Sequence, residues 1–329
     1  MRITENVLVE NKYNNHLHHC INKTRRKRSL LEQIFYQSGS EAFKYDSRVS
    51  DVHTCNSMHL NVNTMKNDTV YDLLQKQISR RESMIIAYSG GVDSALLAAV
   101  ATNRLGRKRV HCIFIDSPLV PRSAVREAQS IASEIGISLE IINGNAMDEQ
   151  FRKNPPDRCY YCKKSYAQLL QKIAHERGFS CVADGVNCSD LDEHRPGMKA
   201  STEEGIVHPF IKAGITKEDI RNITRECGYS FWNKPSAACL SSRIPYGEEI
   251  TEEKLRMVES AEEYLHTRGF AQVRVRVHTG IARIEVAGSD IPNIISMRED
   301  IIKKYKEIGF LYSTLDLEGY RSGSMDEVL

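Results

Sequence analysis

The stretch Met84–Ser94, MIIAYSGGVDS, followed at once by ALLAAVA, constrains this chain more than any other. Met84–Ala87 is a short apolar run of the length of a buried strand. Ser89-Gly90-Gly91 then supplies a turn without side-chain bulk, where backbone can take positive φ and approach a ligand closely. Asp93 and Ser94 open an alanine-rich apolar segment predicted as a helix to Arg104, stopped near Gly106. Strand, glycine turn and helix start together present free N–H groups and a positive helix end to an anion. The stretch is neither a G-x-x-x-x-G-K-[ST] loop nor a G-x-G-x-x-G fingerprint, so the two commonest phosphate loops are excluded.

The rest of the chain supports an α/β reading. Apolar runs at Val110–Ile115, Leu139–Ile142 and Cys181–Ala183 are predicted strands. Between them, helical periodicity marks Ser123–Ile135 and Tyr166–Ile173, and a further helix runs from an N-cap at Thr216 to a stop at Gly228. Strands alternating with helices imply a doubly wound parallel sheet, which binds ligands beyond the carboxyl ends of its strands. Ser89–Ser94, Asp116 and Asp184-Gly185 all fall at those ends, so they are expected to converge on one crevice. Beyond Pro245–Gly247 the grammar changes. A helix at Thr251–Arg268 precedes Gln272–His278, where Val273, Val275 and Val277 alternate with Arg274, Arg276 and His278. A strand at Ile281–Val286, one helix over Pro292–Glu307 and a strand at Phe310–Leu315 complete a small α+β domain. The expected organisation is therefore a polar, disordered extension over 1–68, a nucleotide-binding domain over 69–246 and a small domain over 247–329.

Composition narrows the partners. A formal charge of +2 gives no basic surplus for nucleic acid, and the one basic cluster, Arg25–Arg28 with Lys23, lies in the extension. There is no apolar run long enough for a membrane span and no apolar signal core at the N-terminus, so a cytoplasmic protein is expected. Nine cysteines at irregular spacing favour reduced thiols or metal ligation over disulfides.

Cysteine chemistry gathers at two places. Arg158-Cys159-Tyr160-Tyr161-Cys162-Lys163 is a C-x-x-C beside cations, and Cys239 lies alone among small residues in Lys234–Arg243. On their own these admit a redox pair, half of a zinc site completed by His194 or Cys188, or ligands of an iron–sulfur cluster. Cys112, Cys181 and Cys227 fall inside apolar elements and read as inert. Asp190 and Glu193–Gly197 form a charged loop after the fourth strand.

SGGVDS resembles the pyrophosphate loop of PP-loop ATPases, which split ATP between its α and β phosphates to form an adenylate. Together with FIDSPLVPRS, RCYYCK, DEHRPG, KPSAACLSSRIPYGEEIT, VRVRVH and ARIEV, the chain from about Tyr71 onward resembles the LarE family of ATP-dependent sulfur transferases. The resemblance implies a cytoplasmic homo-oligomer, with no nucleic acid or membrane partner. Its substrate would be pyridinium-3,5-biscarboxylic acid mononucleotide, its product the dithiocarboxylate precursor of the nickel-pincer nucleotide. It implies ATP and Mg2+ at Ser89, Gly90, Gly91, Asp93, Ser94, Asp116, Asp184 and Gly185. The substrate would meet Asp190, Arg195, Glu262, Arg268, Arg274 and Arg276, with Arg274 and Arg276 gripping its phosphate. The family draws sulfur either from one sacrificial cysteine or from a 4Fe–4S cluster on three cysteines. Cys159, Cys162 and Cys239 imply the cluster type, with the thiolates on two loops and Arg158, Lys163 and Arg243 offsetting its charge. A tRNA thiolase and a non-catalytic nucleotide-binding subunit are the rival readings.

Overall fold

A computed structural model describes residues 70–145, 147–192, 196–235, 238–321 and 323–324. The extension, Cys20, Cys55, the basic cluster and Glu193, His194 and Arg195 lie outside the described residues. The first sheet has the order β3-β2-β1-β4 and every pairing is parallel. Its strands are β1 (Met84–Ala87), β2 (Val110–Asp116), β3 (Leu139–Asn143) and β4 (Val182–Ala183). β1 is apolar throughout because it has a neighbour on each side and helices over both faces. Met84 and Ile86 point into a core with α1 (Val70–Ser79) and α2 (Val92–Leu105), while Ile85 points into a second core with α4 (Arg158–Glu176). α3 (Arg122–Ile135) covers the first face beside α2 and ends on Gly136 in the left-handed region.

The sequence-based elements hold with two corrections. The helix expected from Tyr166 begins eight residues earlier, at Arg158. Cys159 and Cys162 therefore sit in its first turns, three residues apart on one helix face, and not on a loop. The Pro155-Pro156-Asp157 run was the start signal; the polar R-C-Y-Y-C-K-K stretch hid it by lacking an apolar period. The second correction is at Pro292–Glu307. There the chain forms α8 (Ile291–Ser296) and α9 (Arg298–Ile308), separated at Met297, whose ψ is 12°. Glu299 and Asp300 had marked the new helix start, where acids suit the dipole. α5 (Pro196–Glu203) and α6 (Lys217–Glu226) lie between the two sheets in sequence; Thr216 and Asp219 close a reciprocal capping box on α6.

The second sheet has the order β5-β6-β7, from β5 (Val273–His278), β6 (Ile281–Val286) and β7 (Tyr312–Leu315). β5 and β6 are antiparallel, with Arg274 opposite Glu285 and Val275 opposite Ile284; β6 and β7 are parallel. α7 (Glu252–Thr267) lays Leu255, Val258, Ala261 and Leu265 on Val273, Val275 and Val277. That core also takes in Leu119, Phe151, Leu240 and Ile244, with Cys162 and Tyr166 packed against it. The two cysteine segments are thus built into the seam between the sheets.

Candidate active site

One cleft of about 400 Å³ opens at the carboxyl ends of the parallel strands. Its walls include Ser89, Asp93, Ser94, Asp184, Gly185, Asp190, Lys163, Cys162 and Cys239. Four separate stretches of chain, carrying two of the three cysteines of interest, therefore meet at one place.

The glycine loop is tied to itself. Ser94 Oγ accepts from the Ser89 N–H (3.1 Å) and donates to the Gly91 carbonyl (3.1 Å), and the Ser89 hydroxyl reaches it at 3.1 Å. The Gly90 carbonyl accepts from Lys234 Nζ at 3.0 Å, and Lys234 also pairs with Glu127 at 2.8 Å. Gly90 has φ +69°, and a Cβ there would lie 2.6 Å from that of Ala128, so only glycine fits. Gly91 stands at the N-cap of α2 and offers no side chain, which leaves first-turn N–H groups to an anion. A Cβ on Gly185 would fall 2.8 Å from the Ser94 nitrogen, so its absence keeps that helix end open.

Asp93 does not stand alone. Lys217 Nζ, from the start of α6, bridges both its oxygens at 2.7 and 2.6 Å. No local pattern in the sequence singles out Lys217, because its partner is 124 residues away. Asp116 is not on the cleft wall: the Arg122 guanidinium grips both its oxygens and holds its carboxyl below the usual range. Asp184 accepts from the Val186 N–H (3.2 Å) and faces His208 Nδ1 at 2.7 Å, so it shapes the turn after β4. Asp190 is buried and accepts from the Asn187 N–H at 2.9 Å.

The arginines are placed differently from the sequence expectation. Arg276 is 5% exposed and fully engaged: its guanidinium pairs with buried Glu285 (2.9 and 2.8 Å) and donates to the Ser242 carbonyl (2.8 Å) and Ser324 Oγ (3.0 Å). A neighbouring carboxylate has already taken its fork, where the sequence expected it to share a phosphate grip with Arg274. Arg274 is half-buried, lies over the Tyr320 ring at 5.4 Å and donates only to the Val273 carbonyl among the described residues. Burial, and then the Arg243 charge, penalise its own charge. A bound anion would relieve both penalties.

Glu262 is buried and takes Arg243 in a two-point ion pair at 2.9 and 2.9 Å, while also accepting from the Val275 N–H at 3.0 Å. Arg243 spends its remaining donors on the carbonyls of Ala238 (3.0 Å) and Cys239 (2.9 Å). It is a clamp that fixes the Cys239 turn onto α7, and not a free counter-charge. Arg158 is likewise buried, donating to Asn154 Oδ1 at 2.7 Å. Lys163 is exposed on the cleft wall, and Arg268 is exposed at the end of α7, 4.7 Å over Tyr264.

Cys239 is exposed, with Ser241 Oγ 3.0 Å from its sulfur; Cys159 is exposed and Cys162 half-buried. Burial pushes the Cys162 thiol up to about 12, and Cys239 and Cys159 nearby push the same way. Lys163 and the Tyr166 hydroxyl, which also meets Ser117 Oγ at 2.8 Å, pull it back. In iron-free protein, alkylation of Cys162 should keep rising with pH past the ordinary thiol value of about 8.5. Tyr166→Phe should slow it further at pH values below the thiol's own titration, because a group that favours the thiolate is lost. A rate plateau at the ordinary thiol value would contradict this. Among the described residues no three His, Cys, Asp or Glu converge closely enough to hold a single metal ion.

A parallel sheet with a serine-flanked glycine loop at a helix N-terminus, and an acid within the loop, defines a PP-loop nucleotide-binding domain. The family model described as NAD synthase matches residues 64–168. An uncharacterised protein of Synechocystis sp. is 41% identical over 259 residues, covering 78% of this chain and 96% of that one. The pyridinium-3,5-bisthiocarboxylic acid mononucleotide synthase of Lactiplantibacillus plantarum is 36% identical over 249 residues, 75% of this chain and 90% of its own. A glutamine-hydrolysing GMP synthase of Bdellovibrio bacteriovorus is 22% identical over 57% of this chain and 41% of its own. The chain belongs to the LarE family of ATP-dependent, AMP- and pyrophosphate-forming PP-loop enzymes.

Proposed function

We propose that the protein adenylates the carboxylates of pyridinium-3,5-biscarboxylic acid mononucleotide with ATP and converts them to thiocarboxylates. The observation that carries the reading is one cleft whose walls include Ser89, Asp93, Ser94, Cys162 and Cys239. A carboxylate is a poor acyl donor, because oxide is a poor leaving group, so it must first be joined to AMP, which then leaves when sulfur attacks. The first-turn N–H groups of α2, with Ser89, Gly90, Gly91 and Ser94, bind the pyrophosphate. Asp93 would hold Mg2+, which would offset charge on the phosphates, and Lys217, paired with Asp93, supplies a further cation at the same place. Asp184 and Gly185 line the same end of the sheet, while Asp116 supports it through Arg122. Arg274 takes the substrate phosphate, its two penalties answering to an anion. Asp190, Arg195 and Arg268 belong to the substrate side by family resemblance, whereas Glu262 and Arg276 act by holding the Cys239 turn.

Cys159, Cys162 and Cys239 would hold a 4Fe–4S cluster, which supplies an open iron for a transferable sulfide. The donor set fits that group: each iron of a cluster takes one thiolate, so the three sulfurs need not converge on one ion. In the second reading Cys239 gives up its own sulfur; its exposure beside Ser241 favours that route. The protein works in the cytoplasm as a homo-oligomer, with residues 69–246 and 247–329 as its two functional units. Exposed Leu311, Tyr312 and Leu317 along the β7 edge support self-association. No described helix is long and apolar enough to cross a membrane.

The test is pyrophosphate release. It should require both ATP and the mononucleotide, and the product should carry sulfur in place of carboxylate oxygen by mass spectrometry. Asp93→Ala should reduce the rate by about a hundredfold or more, the range for losing a charge-stabilising group at a reaction centre. Release at the wild-type rate by Asp93→Ala, or release independent of the mononucleotide, would overturn the reading.

A further inference from the structure

We propose that Asn154 is a positioning residue that sets the separation between the Cys159–Cys162 helix turn and the Cys239 turn. It is fully buried and holds φ +54°, a left-handed conformation that asparagine tolerates better than most residues. Its Nδ2 donates to three carbonyls of one segment: Ile244 (3.2 Å), Pro245 (2.6 Å) and Glu248 (3.0 Å). Its Oδ1 accepts from Arg158 Nη1 at 2.7 Å. Its own carbonyl accepts from the Gly247 N–H at 3.0 Å.

Both ends of this tether are next to the thiols. Arg158 opens α4 and immediately precedes Cys159. Ile244 closes the turn that begins at Cys239. Arg158 also lies 4.3 Å over the ring of Tyr246, so the gripped segment folds back over the helix start. One side chain thus joins two stretches of chain far apart in sequence, Asn154 and Ile244 being separated by 90 positions. Cys162 and Cys239 line the same cleft. A left-handed residue persists in a core only where its surroundings over-determine it, and here the surroundings are the two cysteine segments. The inference rests on the reading that these cysteines work together, but it concerns only their placement.

The test uses the full-length, iron-free protein and dibromobimane, which bridges two nearby thiols as each thiolate displaces one bromide. Peptide mapping separates the Cys159–Cys162 bridge from the Cys162–Cys239 bridge. Asn154→Gly keeps the positive φ and removes the amide. It should slow the Cys162–Cys239 bridge by roughly tenfold or more, since ångström misplacement of reacting groups costs that much. The Cys159–Cys162 bridge, contained within one helix, should form at the wild-type rate. Arg158→Met cuts the same tether at its other end without touching the left-handed residue, and should give the same split if the glycine variant does not fold. Unchanged bridging in both variants, equal loss of both bridges, or no Cys162–Cys239 bridge in wild-type protein overturns the proposal. Retained sulfur transfer in a Cys159 variant would overturn the cluster reading and leave this result standing.

Discussion

Glu262→Ala should lower stability by about 3–5 kcal/mol, the cost of stranding one member of a buried ion pair. The side chains of Arg243 and Glu262 are 3% and 8% exposed, so water cannot replace the lost partner. In a chain of this size the expected fall in melting temperature is roughly 6–20 °C, at about 2–4 °C per kcal/mol. The double variant Arg243→Met, Glu262→Leu removes both charges and should recover much of the loss, because apolar replacements of buried pairs are often neutral. It will not recover all of it, since the Val275 N–H also loses its acceptor. Sulfur transfer should be lost in the double variant, because the guanidinium that ties the Ala238 and Cys239 carbonyls to α7 is gone. Thermal melts and a sulfur-transfer assay decide the matter. A wild-type melt for Glu262→Ala, or an active double variant, would show that the clamp is not needed.

The cysteines give the largest expected effect on activity. Cys159→Ala and Cys162→Ala, each made singly with Cys239 intact, should lose bound iron and sulfur transfer together under anaerobic conditions with sulfide. A cluster on three thiolates cannot spare one, whereas a sacrificial enzyme needs only Cys239. Both substitutions fall on the first turns of α4, where alanine is an excellent helix former, so the fold should survive. If the Cys159 variant still transfers one sulfur per chain, and Cys239 is then lighter by the mass of hydrogen sulfide, the cluster reading fails. Adenylation should survive in both variants, because the glycine loop lies on a different element.

By itself, the sequence determined what depends on neighbours along the chain. The four parallel strands, the glycine loop and its helix, the capped helix at Thr216 and the alternation on β5 were all legible as apolar period or cap chemistry. So was the placement of Ser89–Ser94 and Asp184-Gly185 at one end of a sheet, because strand direction follows from βαβ order. The helix start at Arg158 escaped, since a polar first turn carries no period. Tertiary structure alone decided which charges are free. Arg274 and Arg276 look equivalent on their strand, yet Glu285 from the paired strand takes up the Arg276 fork, while Arg274 donates only to the Val273 carbonyl among the described residues. Asp93 and Lys217, Arg243 and Glu262, and Asn154 and Ile244 are likewise pairs whose partners lie far apart in the chain. A buried charge takes the nearest complementary group in space, and spatial nearness across a seam between two sheets leaves no trace in local periodicity.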